Sequence, residues 1–77
     1  SLKDLLNIPI KEATFNLNSL IELEEITKFL GKPGDTIINI NIKNNGDGLN
    51  FKLENKRNLD RKSLNLIRNK QISAIIN

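Results

Sequence analysis

The sequence predicts an α+β domain with the element order strand, helix, strand, strand, helix, strand, and three observations point to it. Apolar and polar residues alternate with a period of two in four separate stretches. Two helix-start signals, Ser19 with Glu22 and Leu59 with Asp60, lie between those stretches. A cluster of Asn, Gly and Asp at positions 44–48 joins the middle pair. This βαββαβ order suits a ferredoxin-like sandwich, in which two helices cover one face of a four-stranded antiparallel sheet.

Residues 1–11 read as a linker entering from an upstream domain, because Leu2, Leu5, Leu6 and Ile8 have mixed spacing and Pro9 stops any helix. Residues 12–77 read as one small α+β interaction domain. Ala13, Phe15 and Leu17 alternate with Glu12, Thr14, Asn16 and Asn18, the pattern of a half-buried strand. Ser19 and Glu22 then form a capping box, with the glutamate expected to bond back to the serine amide. Leu20, Leu23, Ile26, Thr27 and Leu30 fall on one helical face, and Gly31 is placed to cap the helix C-terminus. Lys32-Pro33-Gly34-Asp35 reads as a turn.

Ile38, Ile40 and Ile42 alternate with Asn39, Asn41 and Lys43, and after the Asn/Gly/Asp cluster the alternation resumes in Leu49, Phe51 and Leu53. Residues tolerant of positive φ between the two runs predict a hairpin. Asp60 caps the second helix, and Leu59 with Leu64 makes a hydrophobic staple. That helix runs to about Asn69 with Leu64, Ile67 and part of Leu66 inward. Gln71 to Ile76 closes the chain as a strand, with Ile72, Ala74 and Ile76 on one side.

Alternation also assigns the sheet faces. Phe15, Leu17, Ile38, Ile40, Ile42, Phe51, Leu53 and Ile72 are expected under the helices. Thr14, Asn16, Asn39, Asn41, Lys43, Asn50, Lys52, Glu54 and Ser73 are expected on the opposite, open face. An RNA-recognition motif shares this topology but stacks bases on aromatics of its open face. Here Phe15 and Phe51 fall on the core side and Phe29 on a helix, so all three aromatics read as packing residues.

The 77 residues contain no His, Cys, Met, Trp or Tyr. Cysteine and histidine nucleophiles, imidazole bases, disulfides and Cys/His zinc sites are therefore excluded. The carboxylates offer no convergent metal set, and the four glycines match no phosphate-cradling loop, so neither a cofactor nor a small-molecule substrate is expected. No stretch reaches the roughly 18 apolar residues of a membrane span. A soluble, cytoplasmic, non-enzymatic piece of a longer protein is expected, since the chain begins at Ser1 without an initiator Met.

Thirteen Asn, with twelve Ile and twelve Leu but no Val, indicate an AT-rich coding background that lowers the weight of any single Asn or Lys. Charge is more informative. Residues 1–35 hold four Lys and six acids, net −2, whereas residues 36–77 hold eight basic residues and three acids, net +5. Arg61 and Arg68 are seven apart and share a stripe of the second helix. Arg61 and Lys62 stand in its first turn, where the helix dipole disfavours cations. Lys56, Arg57, Arg61, Lys62 and Arg68 are thus the candidate contacts for an acidic partner or for DNA backbone phosphates.

Read from Ala13 to Ile76, the pattern resembles the small C-terminal domain of the bacterial replicative DNA polymerase III alpha subunit. The segments FNLNSLIELEEITKFL, PGDTIINI, GDGLNFKLENKRNLDRKSLNLI and ISAII carry the likeness. The Leu-Pro that often ends the third strand in that family is Glu54-Asn55 here. The resemblance implies that the parent chain is a DNA-directed DNA polymerase with its active site upstream. It also implies that this domain docks the polymerase to the clamp loader tau subunit. The alternatives are a free-standing ferredoxin-like domain that binds nucleic acid through phosphates, and a homo-oligomerising module that pairs edge strands.

Overall fold

The computed structural model describes residues 8–44 and 46–77. They form β1 (Glu12–Leu17), α1 (Leu20–Thr27), β2 (Pro33–Asn44), β3 (Asp47–Lys52), α2 (Arg61–Asn69) and β4 (Ser73–Ile76). The predicted order of elements is present, and the class is α+β.

The sheet is mixed, in the order β3-β2-β1-β4. The antiparallel, ferredoxin-like arrangement is corrected here: β1 and β2 lie side by side and parallel, with Phe15 opposite Ile40, so no strand sits between the two joined by α1. The β2–β3 and β1–β4 pairs are antiparallel. Alternation dictates which face a side chain takes but says nothing of which strands are neighbours, and the neighbour relation is what differs.

One core gathers Ala13, Phe15 and Leu17 of β1, Ile38, Ile40 and Ile42 of β2, Ile26 and Leu30 from α1 and its exit, Leu64 and Ile67 of α2, and Ile72 and Ala74 around β4. Ile10 belongs to the same core, so the segment read as a linker takes part in the domain at its end. The buried Thr36 hydroxyl donates to the Ile10 carbonyl at 2.6 Å, and the Ile37 amide donates to the Lys11 carbonyl at 2.9 Å. Residues 1–7 of that linker reading lie outside the described residues.

Local chemistry refines the helix ends. Ser19 caps α1 through its hydroxyl, which accepts from the Glu22 amide at 3.4 Å. The Glu22 carboxylate accepts from the Asn18 amide at 3.1 Å rather than from that of Ser19, one residue earlier than the capping box places it. α1 stops at Thr27 with Lys28 as C-cap, and Phe29 and Leu30 follow in tight turns bonded to the Ile26 and Thr27 carbonyls. Gly31 has no positive φ and caps nothing. Thr27 and Leu20, expected inward, are exposed.

Asp60 caps α2, accepting from the Ser63 amide at 2.7 Å, and its flanking staple residues Leu59 and Leu64 are both buried. The helix ends into Gln71, whose φ of 63° turns the chain toward β4.

The Pro33-Gly34-Asp35 stretch is the start of β2, not a turn. It runs against the loop before α2, where the Gly34 amide donates to the Lys56 carbonyl and the Asn58 amide to the Lys32 carbonyl. A Cβ on Gly34 would stand 2.5 Å from the Asn58 Cα and amide nitrogen, so only glycine allows this approach. The hairpin between β2 and β3 turns through Gly46 at φ 93°.

Candidate functional site

The five basic residues singled out from the sequence stand in different local environments. Arg57 is half-buried and donates Nη1 to the Leu30 carbonyl at 3.0 Å and Nε to the Asn55 carbonyl at 3.3 Å. It thereby serves a carbonyl in the turn after α1, close to where glycine capping was expected. Arg68 donates Nε and Nη2 to the Ala74 carbonyl. Arg61 is half-buried beside Ile10, Asp35, Thr36 and Asp60 in a shallow concavity, and its buried Nε has no hydrogen-bond partner among the described residues. Lys56 and Lys62 are exposed.

Two carboxylates are tuned by neighbours. The Ser63 amide holds the Asp60 carboxyl below its ordinary range. The Lys70 ammonium, 3.2 Å from Glu25, and then Lys28 lower Glu25 likewise, and the first of these pairs ties α1 to the end of α2.

The open face carries the expected polar set. The strand registers place Thr14, Asn39 and Lys52 in one row, and Asn16, Asn41, Asn50 and Ser73 in the next. Asn39 Nδ2 donates to Glu12 Oε2 at 2.6 Å and Asn41 Nδ2 to Asn16 Oδ1 at 3.0 Å, so much of this amide chemistry cross-links β1 and β2. Ile75 joins this face and is 58% exposed.

The surface that sequence reasoning missed lies on the other side of the hairpin. Phe51 and Leu49 pair with Ile40 and Ile42 and so point toward the helix side of the sheet, as expected, but they are 41% and 50% exposed. The reason is strand order. The helix-side residues of β1, β2 and β4 are covered, and β3 lies at the far edge of the sheet, where the cover ends. Leu20 and Ile21 of α1, 61% and 71% exposed, extend the apolar surface, and a shallow groove joins them to Ile42, Lys43 and Leu49. Leu49 and Phe51 look like ordinary core residues in sequence. Only Ile21, outside the inward helical stripe, signals an exposed apolar side chain.

Among the described residues no group of three or more Asp and Glu side chains converges on a metal-sized site, and no helix is long and apolar enough to cross a membrane. Comparison with protein-family models, with curated proteins and with solved structures finds no match to this chain.

Proposed function

We propose that this chain is a non-catalytic docking module of a bacterial replicative DNA polymerase, the DNA polymerase III alpha subunit, and that it joins the polymerase to the clamp loader tau subunit in the cytoplasm. The observation that carries the docking part is the uncovered side of β3. Leu49 and Phe51 with Leu20 and Ile21 make an apolar patch of the kind that marks protein contact surfaces. The resemblance of the Ala13–Ile76 pattern to the polymerase C-terminal domain supplies the partner.

The phosphate-binding alternative draws less support, because Arg57 and Arg68 spend donors on main-chain carbonyls of the domain itself. Titration calorimetry of the 77-residue chain against purified tau subunit tests the proposal. Saturable binding is expected, with at least tenfold loss in a Leu49→Glu, Phe51→Glu variant that retains a cooperative unfolding transition. Absence of binding by the wild-type chain overturns the polymerase reading, and undiminished binding by the variant overturns the surface.

A further inference from the structure

The sheet has two edges, and they are treated differently. At β4 the Asn77 amide bonds to the Glu12 carbonyl, so the main-chain groups of Ala74, of opposite parity, point away from the sheet. Its outward carbonyl is taken by the Arg68 guanidinium. At β3 the Leu53 amide bonds to the Ile38 carbonyl, which turns the main-chain groups of Leu49 and Phe51 toward β2 and those of Gly48, Asn50 and Lys52 outward. Every residue of β3 is exposed, and no side chain among the described residues caps its outward groups. Proteins ordinarily blunt such an edge.

The chemistry flanking these free groups is patterned. On the helix side stand Leu49 and Phe51. On the open side stand Lys52 and, four residues back, Gly48, which has no side chain and lies opposite Lys43 of β2. Lys43 and Gly48 line one groove, so among the described residues no side chain at 48 separates Lys43 from what lies beyond the edge. A strand added to β3 meets a lysine at each end of its open face and two apolar side chains between them on the other face.

We propose that β3 is a strand-addition site for an extended partner segment of the pattern acidic, apolar, any residue, apolar, acidic. Its main chain pairs with Gly48, Asn50 and Lys52, its two apolar side chains cover Phe51 and Leu49, and its carboxylates meet Lys52 and Lys43. Charge distinguishes this occupant from a second copy of the chain. Antiparallel self-pairing about Asn50 aligns Leu49 with Phe51 but sets Lys52 opposite Gly48 of the second copy, against that copy's Lys43, and does so twice. Asp47 points to the opposite face, that of Leu49, and does not relieve this repulsion.

The inference deepens the docking reading in its choice of surface but is independent of the partner's name. The probe is the blocked heptapeptide Ser-Glu-Val-Thr-Val-Glu-Ser, titrated into the 77-residue chain at low salt and followed by amide chemical shifts. One control replaces both Glu by Lys, and another replaces the central Thr by Pro. Shifts centred on Gly48, Asn50 and Lys52 are expected, with affinity at least fivefold above either control and reduced by a Lys43→Ala, Lys52→Ala variant. Equal affinity for the acidic and lysine peptides, shifts centred on α2, no shifts at all, or a dimer mass by light scattering overturns it. If the acidic peptide binds β3 while the tau subunit does not bind, the strand-addition site stands and the polymerase reading falls. If tau binds and the peptide leaves β3 unshifted, the reverse holds.

Discussion

Arg68 holds Ala74 by two hydrogen bonds, Nε and Nη2 both donating to its carbonyl oxygen at 3.2 and 2.7 Å. A cation that in sequence belongs to a partner-binding stripe is thus committed to the edge of its own sheet. Loss of a charged hydrogen bond at this exposed position costs about 1 kcal/mol, below the range for buried pairs. Arg68→Ala is therefore expected to lower the unfolding free energy measured in urea by that amount while leaving affinity for the tau subunit unchanged. A variant of unaltered stability and lost affinity contradicts the assignment.

Gly34 offers a sharper test of the fold. Its missing Cβ makes room for the Asn58 main chain, which would be only 2.5 Å away, and main-chain atoms do not yield as a flexible side chain does. Gly34→Ala is expected to destabilise the domain by about 1–3 kcal/mol. Gly31→Ala has nothing within 4 Å and no positive φ to oppose it, and is expected to be neutral or stabilising by up to about 1 kcal/mol. Equal midpoints for the two variants in chemical denaturation would place the β2 start wrongly.

Asp60 links stability to acid. The amide of Ser63 stabilises its ionised form, so its folded pKa lies below the ordinary value of 3.8. A group depressed in this way contributes stability above its unfolded pKa and loses that contribution as the pH falls through the folded one. The wild-type midpoint is expected to hold from pH 7 to about pH 5 and to decline below about pH 4. Asp60→Asn keeps the capping acceptor and is expected to decline less steeply, with the remaining slope including Glu25, whose pKa is lowered by Lys70 and Lys28. Superimposable midpoint-against-pH curves would remove the capping carboxylate from the account.

The lysines flanking the β3 edge and those at and before the start of α2 make opposite predictions for partner binding. Lys43→Glu with Lys52→Glu is expected to weaken tau affinity at least fivefold at low salt and to reverse the contribution of this edge to its salt dependence. Lys56→Glu with Lys62→Glu is expected to change it less than twofold. Calorimetry at two ionic strengths distinguishes them, and the reverse ranking restores the basic helix as the contact.

Much of the fold was legible because its signals are local. Ser19 and Asp60 announce helix starts through a side-chain oxygen and a nearby amide, and the Ile38–Ile42 alternation follows from a pleat with one buried side. What was not legible depends on distant pairing. Parallel contact of Phe15 with Ile40 cannot be read from either strand alone, and it is this contact that moves β3 to an edge and leaves Phe51 exposed. The end of α1 differs from the sequence expectation for a related reason, since the carbonyl of Leu30 takes its bond from Arg57, 27 residues away. Charge in sequence marks where a cation is, not whether the chain uses it internally, as Arg57 and Arg68 do on main-chain carbonyls.

Hydrogen exchange of the 77-residue chain, free and with the tau subunit bound, tests the central claim most directly. The amides of Gly48, Asn50 and Lys52 point out from the edge and are expected to exchange rapidly in the free chain, faster than those of Leu49 and Phe51, which face β2. In the complex these three are expected to become protected, together with slower exchange at the start of α1. Protection confined to Arg61–Lys70, with the three β3 amides still exchanging at their free rates, would contradict it.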